Sequence, residues 1–166
     1  NELRKFVGQE LKVKILDGVR QKNFLEIFRR EAALSDLICF SVMTMQIPTA
    51  LELSEMAKKL NPRCKIIWGG AHPTFFPEQT AAHDLIDAAV IGDGEYTIFD
   101  LASEKKWPEA RGIAYKNGRE VMVNQRQRPL EPKSMPLFNW QLEPKEILEN
   151  LSLIPSRILI FFCIER

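Results

Sequence analysis

The chain has 166 residues, enough for one domain with a sizeable core and short for two. Hydrophobic residues are 45% and charged residues 27%, an ordinary globular balance, and a net charge of +1 gives no electrostatic case for nucleic acid or an anionic membrane. The longest apolar run, ILIFFCI at 158 to 164, is too short to span a bilayer, no signal peptide is visible, and the odd, widely spaced Cys39, Cys64 and Cys163 suggest buried thiols in a reducing cytoplasm.

The elements alternate along the chain. VKIL at 13 to 16 is a short strand candidate ending at Asp17-Gly18. NFLEIFRREA at 23 to 32 places Phe24, Ile27 and Phe28 at helical spacing, with Asn23 as N-cap. DLICFSVM at 36 to 43 is almost continuously apolar, as a strand buried on both faces should be. TALELSEMAKKL at 49 to 60 is amphipathic, with Leu53, Met56, Ala57 and Leu60 in one stripe, Thr49 as N-cap and Pro62 as the stop. CKIIWGG at 64 to 70 is a third strand, and PEQTAAHDL at 77 to 85 a short helix with Pro77 in its first turn and His83 on its surface. DAAVIGDGE at 87 to 95 is a fourth strand, and YTIFDLASEKK at 96 to 106 another helix. This alternation predicts βαβ units and a parallel sheet covered on both faces.

The tail changes character. In RGIAYKNGREVMVNQ at 111 to 125, Asn117-Gly118 is a hairpin signal, since both residues tolerate the positive φ of a type I′ turn. Pro129, Pro132, Pro136 and Pro144 then mark an extended strap. The chain divides into an α/β domain at 1 to 106, a hairpin at 107 to 125, and a strap with an apolar C-terminal segment at 126 to 166.

In open parallel sheets, ligands bind beyond the carboxyl ends of the strands. Here Gly69-Gly70 closes one strand, Gly92-Asp93-Gly94-Glu95 the next, and Ser41 and Thr44 follow another. Glycines after strands also serve tight turns, but small or polar ends on neighbouring strands favour a ligand edge, where bare backbone permits close approach. His72 has no second histidine or cysteine at ligand spacing, so it does not read as a metal ligand. Glu95 at a helix start complements the helix dipole. GDGEYT matches a dinucleotide fingerprint only in part, with Thr97 in place of the third glycine. Phe75 and Phe76 are explained by a core or domain contact more simply than by a flat ligand.

Taken together, WGG, AHPTFFPE, DAAVIGDGEYTIFDL, RGIAYKNGREV and RPLEPKSMPLFNW resemble the N-terminal cobalamin-binding domain of radical S-adenosylmethionine (SAM) enzymes, from residue 3 to about 148. The family's GG-x-H-P-T-x-x-P-E stretch is matched throughout, and its G-E-G-E turn differs here only by Asp93. The resemblance implies a three-layer, flavodoxin-like (Rossmann-like) α/β fold with a C-terminal β-hairpin and a proline-rich strap. It implies cobalamin as cofactor, held at Ser41, Thr44, Gly69, Gly70, His72, Gly92, Gly94 and Glu95. It also implies a radical SAM barrel, with a [4Fe–4S] cluster and S-adenosylmethionine, in a longer parent protein.

Three departures qualify the likeness. The cobalamin motif D-x-H-x-x-G is absent, because Asp17-Gly18-Val19-Arg20 lacks the histidine, so cobalt is not expected to be ligated through it. The family's first strand, central in the flavodoxin order, is missing; RILIFFCI at 157 to 164 is the unassigned run able to replace it, in its own chain or in a strand-swapped homodimer. Of the three cluster thiolates only Cys163 is present, so this chain alone is not expected to be catalytic. The expected function is thus cobalamin binding as an auxiliary module. A cofactor-free docking module and a flavodoxin-like nucleotide-binding domain are the alternatives.

Overall fold

The computed structural model describes residues 12–18, 21–102 and 107–128, and the backbone of 160–165. Residues 1–11 and 103–106, the strap from 129 and residues 157–159 lie outside the described residues, as does the Cys163 side chain.

The described elements are β1 (Lys12–Asp17), α1 (Phe24–Leu34), β2 (Leu37–Ser41), a 3₁₀ turn (Thr44–Gln46), α2 (Ile47–Leu60), β3 (Lys65–Gly69), α3 (Ala71–Phe75), α4 (Pro77–Ala81), β4 (Ala88–Val90), α5 (Glu95–Ala102), a second 3₁₀ turn (Trp107–Glu109), β5 (Ile113–Asn117), β6 (Glu120–Val123) and β7 (Ile160–Glu165). The strands form one sheet in the order β1-β7-β2-β3-β4-β5-β6. β2, β3 and β4 run parallel, with Ser41 opposite Gly69 at the end of the first pair. β7 lies antiparallel between β1 and β2, pairing Asp17 with Ile160 on one side and Phe40 with Phe161 on the other. Substituting β7 for a first strand turns the order β1-β7-β2-β3-β4 into the flavodoxin order. The expected parallel sheet is therefore mixed. The C-terminal run fills the central slot from within its own chain, in the reverse direction, and β5 and β6 add an antiparallel margin beyond β4.

Two faces follow from the two-residue period of the strands. Ile38, Phe40, Ile66 and Trp68 pack with Phe28 and Ala32 of α1 and Ala50, Leu53 and Ala57 of α2. Leu37, Cys39, Ile67 and Val90 point the other way, onto Leu101 and Ala102 of α5. Ala89, opposite Trp68 in the ladder, packs with Ala81 of α4. The sheet is covered on both faces, which is why these strands carry no polar alternation. Cys39 and Cys64 are buried free thiols. Among the described residues no helix is long and apolar enough to cross a membrane.

Several local expectations shift. Asn23 stands at the N-cap of α1 but makes no side-chain capping bond. α2 starts at Ile47 rather than at Thr49, because Pro48 suits the first turn and Gln46 Oε1 accepts the Met43 N–H at 2.8 Å. Leu60, at the end of its apolar stripe, is exposed. The helix expected at 77 to 85 stops at Ala81, and His83 follows it, exposed, with Nδ1 accepting the Leu85 N–H at 3.3 Å. Asn117 pairs with Glu120, so the hairpin tip is Gly118-Arg119, one residue beyond the expected pair.

Polar groups tie these layers together. Glu31 of α1 is buried and bonds both Lys14 of β1 and Arg30. Burial pushes its carboxyl up, but the two cations outweigh that and hold it below the usual range. Where β3 and β4 begin, Asp87 accepts from Lys58 Nζ at 2.7 Å, Lys65 Nζ at 2.9 Å and the Ile66 N–H at 2.8 Å. In the core, Trp68 Nε1 donates to Ser54 Oγ of α2 at 3.1 Å. Trp68→Phe removes that donor and part of the indole volume, so the urea midpoint should show a loss of about 1–2 kcal/mol. No measurable loss would mean that the bond adds nothing to stability.

Candidate functional site

The carboxyl ends of β2, β3 and β4 share one edge because these strands are parallel. Beyond β2 the ladder continues for one step, with the Val42 N–H donating to Gly69 O at 2.8 Å. The chain after β3 then folds back, and the His72 N–H donates to Val42 O at 3.0 Å. Gly70 makes that fold possible. It holds φ +95°, and a Cβ there would lie 2.9 Å from Val42 N and 3.1 Å from both Ser41 Oγ and Val42 O. Its bareness is therefore required by the chain's own contact, whereas a Cβ at Gly69 would meet only ordinary neighbours, at 3.8 Å and beyond.

His72 and Thr74, on the short helix α3, cross-link the three ends. His72 is buried, its Nδ1 lies 3.3 Å from Thr44 Oγ1, and its ring packs on Phe76 at 5.2 Å. Burial pushes the imidazole pKa down, favouring the neutral ring. Thr74 Oγ1 donates to Gly70 O at 2.8 Å and accepts the Gly92 N–H at 3.0 Å. The structure thus brings Ser41, Thr44, Gly69, Gly70 and His72 into one network and joins Gly92 to it through Thr74. The Gly94 carbonyl accepts the Ile98 N–H at 2.7 Å and so begins α5, and Glu95 is exposed on its first turn. Sequence reading missed Thr74 and Val42; the hydroxyl directly after His72-Pro73 was the available signal for the first.

The outer part of this edge is open. Gly92 has φ +77° and no atom within 4 Å of where a Cβ would stand. Met45, Phe75, Phe76 and Tyr96, all on the segments that follow β2, β3 and β4, are exposed. Among the described residues no group of three or more His, Cys, Asp or Glu could hold a metal ion.

Residues 4–102 match the B12 binding domain family. The chain belongs to the B12-binding domains. The curated relative "Uncharacterized methyltransferase PH0819" of Pyrococcus horikoshii is 31% identical over 153 residues, covering 87% of this chain and 33% of that protein. The chain thus spans about a third of the length of that relative. Family membership supports cobalamin as the ligand of this B12-binding domain. The residues fit such a guest at one level: bare backbone at Gly92, hydroxyls on Ser41 and Thr44, and an apolar margin. They offer a cradle, and the Asp17-Gly18 turn carries no D-x-H-x-x-G histidine.

Proposed function

We propose that this domain holds cobalamin along the edge formed by the ends of β2, β3 and β4, as an auxiliary module of a longer, methyltransferase-type radical SAM protein. The observation that carries the reading is the open Gly92 loop, bound through Thr74 to the other two strand ends within a chain of this family. Ser41, Thr44, Gly69 and Gly70 form the inner wall, and Gly92, Gly94 and Glu95 the outer loop. His72 holds the inner wall in shape through Thr44. When bound, cobalamin supplies a cobalt centre able to take up and pass on a methyl group. The residues of this chain bind and orient it. The [4Fe–4S] cluster and S-adenosylmethionine belong to the rest of the longer protein, whose barrel covers the exposed Met45 and Phe75.

Incubation with hydroxocobalamin followed by desalting tests this. The protein should retain corrin absorbance near one equivalent. Gly92→Leu places a side chain in the open space at a backbone-strain cost of about 1–2 kcal/mol, and should lower retention at least tenfold in protein that circular dichroism shows to be folded. A colourless wild-type protein would overturn the reading and favour a docking module.

A further inference from the structure

The chain after β6 stays against the sheet. The Asn124 N–H donates to Ile113 O at 2.9 Å, and its side-chain amide donates to Pro108 O at 3.0 Å and Ala110 O at 2.7 Å. The Gly112 N–H then donates to Gln125 O at 2.9 Å, and Gly112 O accepts the Ile91 N–H at 2.8 Å. A Cβ on Gly112 would lie 3.3 Å from Gln127 Cβ and 3.0 Å from Thr97 Oγ1, so the missing side chain lets residues 124–128 lie flat beside the exit of β4. Thr97 is itself held by its bond to Arg111 O at 3.0 Å.

This packing creates a recess of about 180 Å³ lined by Ile91, Gly92, Asp93, Arg126, Gln127 and Arg128. Its volume is below the roughly 300–1,000 Å³ of sites for whole drug-sized molecules, so it suits a group of a few atoms rather than a macrocycle. The lining residues include two exposed arginines and one aspartate, an excess of one positive charge. Gln127 Oε1 accepts the Arg128 N–H at 3.2 Å, which leaves its amide NH₂ as a further donor. Planar guanidiniums match the paired oxygens of phosphate, and a phosphodiester carries the single negative charge that balances this lining.

The geometry points to an anion subsite for a phosphodiester group, held by Arg126 and Arg128 at the outer end of the cofactor edge. Cobalamin carries one such group in its nucleotide tail; taking that tail as the source rests on the reading above, whereas the subsite itself does not. Dissociation constants for cobalamin, for cobinamide (the same corrin without nucleotide or phosphate) and for dimethyl phosphate are to be measured on wild type and on the Arg126→Gln/Arg128→Gln double variant, with folding checked by circular dichroism. The variant should bind cobalamin about tenfold more weakly at low salt and cobinamide unchanged. The gap should shrink as added salt screens the exposed pair. If wild type retains no cobalamin, saturable dimethyl phosphate binding that the variant loses still supports the subsite, with another phosphodiester as its source. Equal losses for cobalamin and cobinamide, or no loss for any of the three ligands, would overturn it.

Discussion

Replacing Gly70 by alanine should destabilise the domain by about 3 kcal/mol and remove ligand binding with it. The backbone stands at φ 95° and ψ −166°, a region that only glycine enters without strain. The new methyl group would meet Val42 N at 2.9 Å, and a backbone atom cannot swing aside as a side-chain tip can. Relieving the contact separates β3's exit from β2's and breaks the bond from the His72 N–H to Val42 O. The Thr44–His72 and Thr74–Gly92 links depend on that same approach. Urea denaturation gives the first quantity and corrin retention on the residual folded fraction the second. A variant with an unshifted midpoint would show that the turn can be made another way. Gly92→Leu provides the contrast: a Cβ there meets no neighbouring atom, so it should cost only the backbone strain of φ 77°, about 1–2 kcal/mol.

Asp87→Ala should cost about 2–3 kcal/mol at neutral pH, at or below the low end for breaking a fully buried pair, because Asp87 is only partly buried, Lys58 keeps its bond to Cys64 O at 2.8 Å and Lys65 is exposed. Burial pushes the Asp87 carboxyl up, but Lys58, the Ile66 N–H and Lys65 together hold it below its ordinary value. A carboxyl with a depressed folded pKa stabilises fully above its unfolded value, near 3.9, and that contribution is lost as pH falls through the folded one. The difference between wild type and variant should accordingly be constant from pH 5 to 7 and narrow below about pH 4. Urea midpoints across that range check it. A gap that persists undiminished at pH 2.5 would mean that side-chain packing, not charge, is what Asp87 contributes.

The strands and the glycine-bearing ends they share were legible because both leave one-dimensional marks. An apolar run such as LICFS must be buried on two faces, and Gly69-Gly70 and Gly92-Asp93-Gly94 interrupt such runs where the chain turns. What those glycines meet was not legible. Gly70 and Gly92 look alike in sequence, yet one presses against Val42 and the other faces empty space. The five-residue helix Ala71–Phe75 was missed because it lacks the length over which a helical period shows, and Pro73 within it argued against one. The hydroxyl of Thr74 acts across strands, so its partners are set by topology. The replacement for the central strand could be picked out as the remaining apolar run, but not its direction, since hydrophobicity is the same read either way.

That direction has a consequence for how the molecule assembles. The strand joining β1 to β2 comes from the far end of this chain, after every other described element. Among the described residues, β1 and β2 each keep an apolar edge with unsatisfied amides until β7 docks between them. Loop closure over so long a separation is slow, and the waiting halves are the stage at which this fold is most open to aggregation and to capture by chaperones.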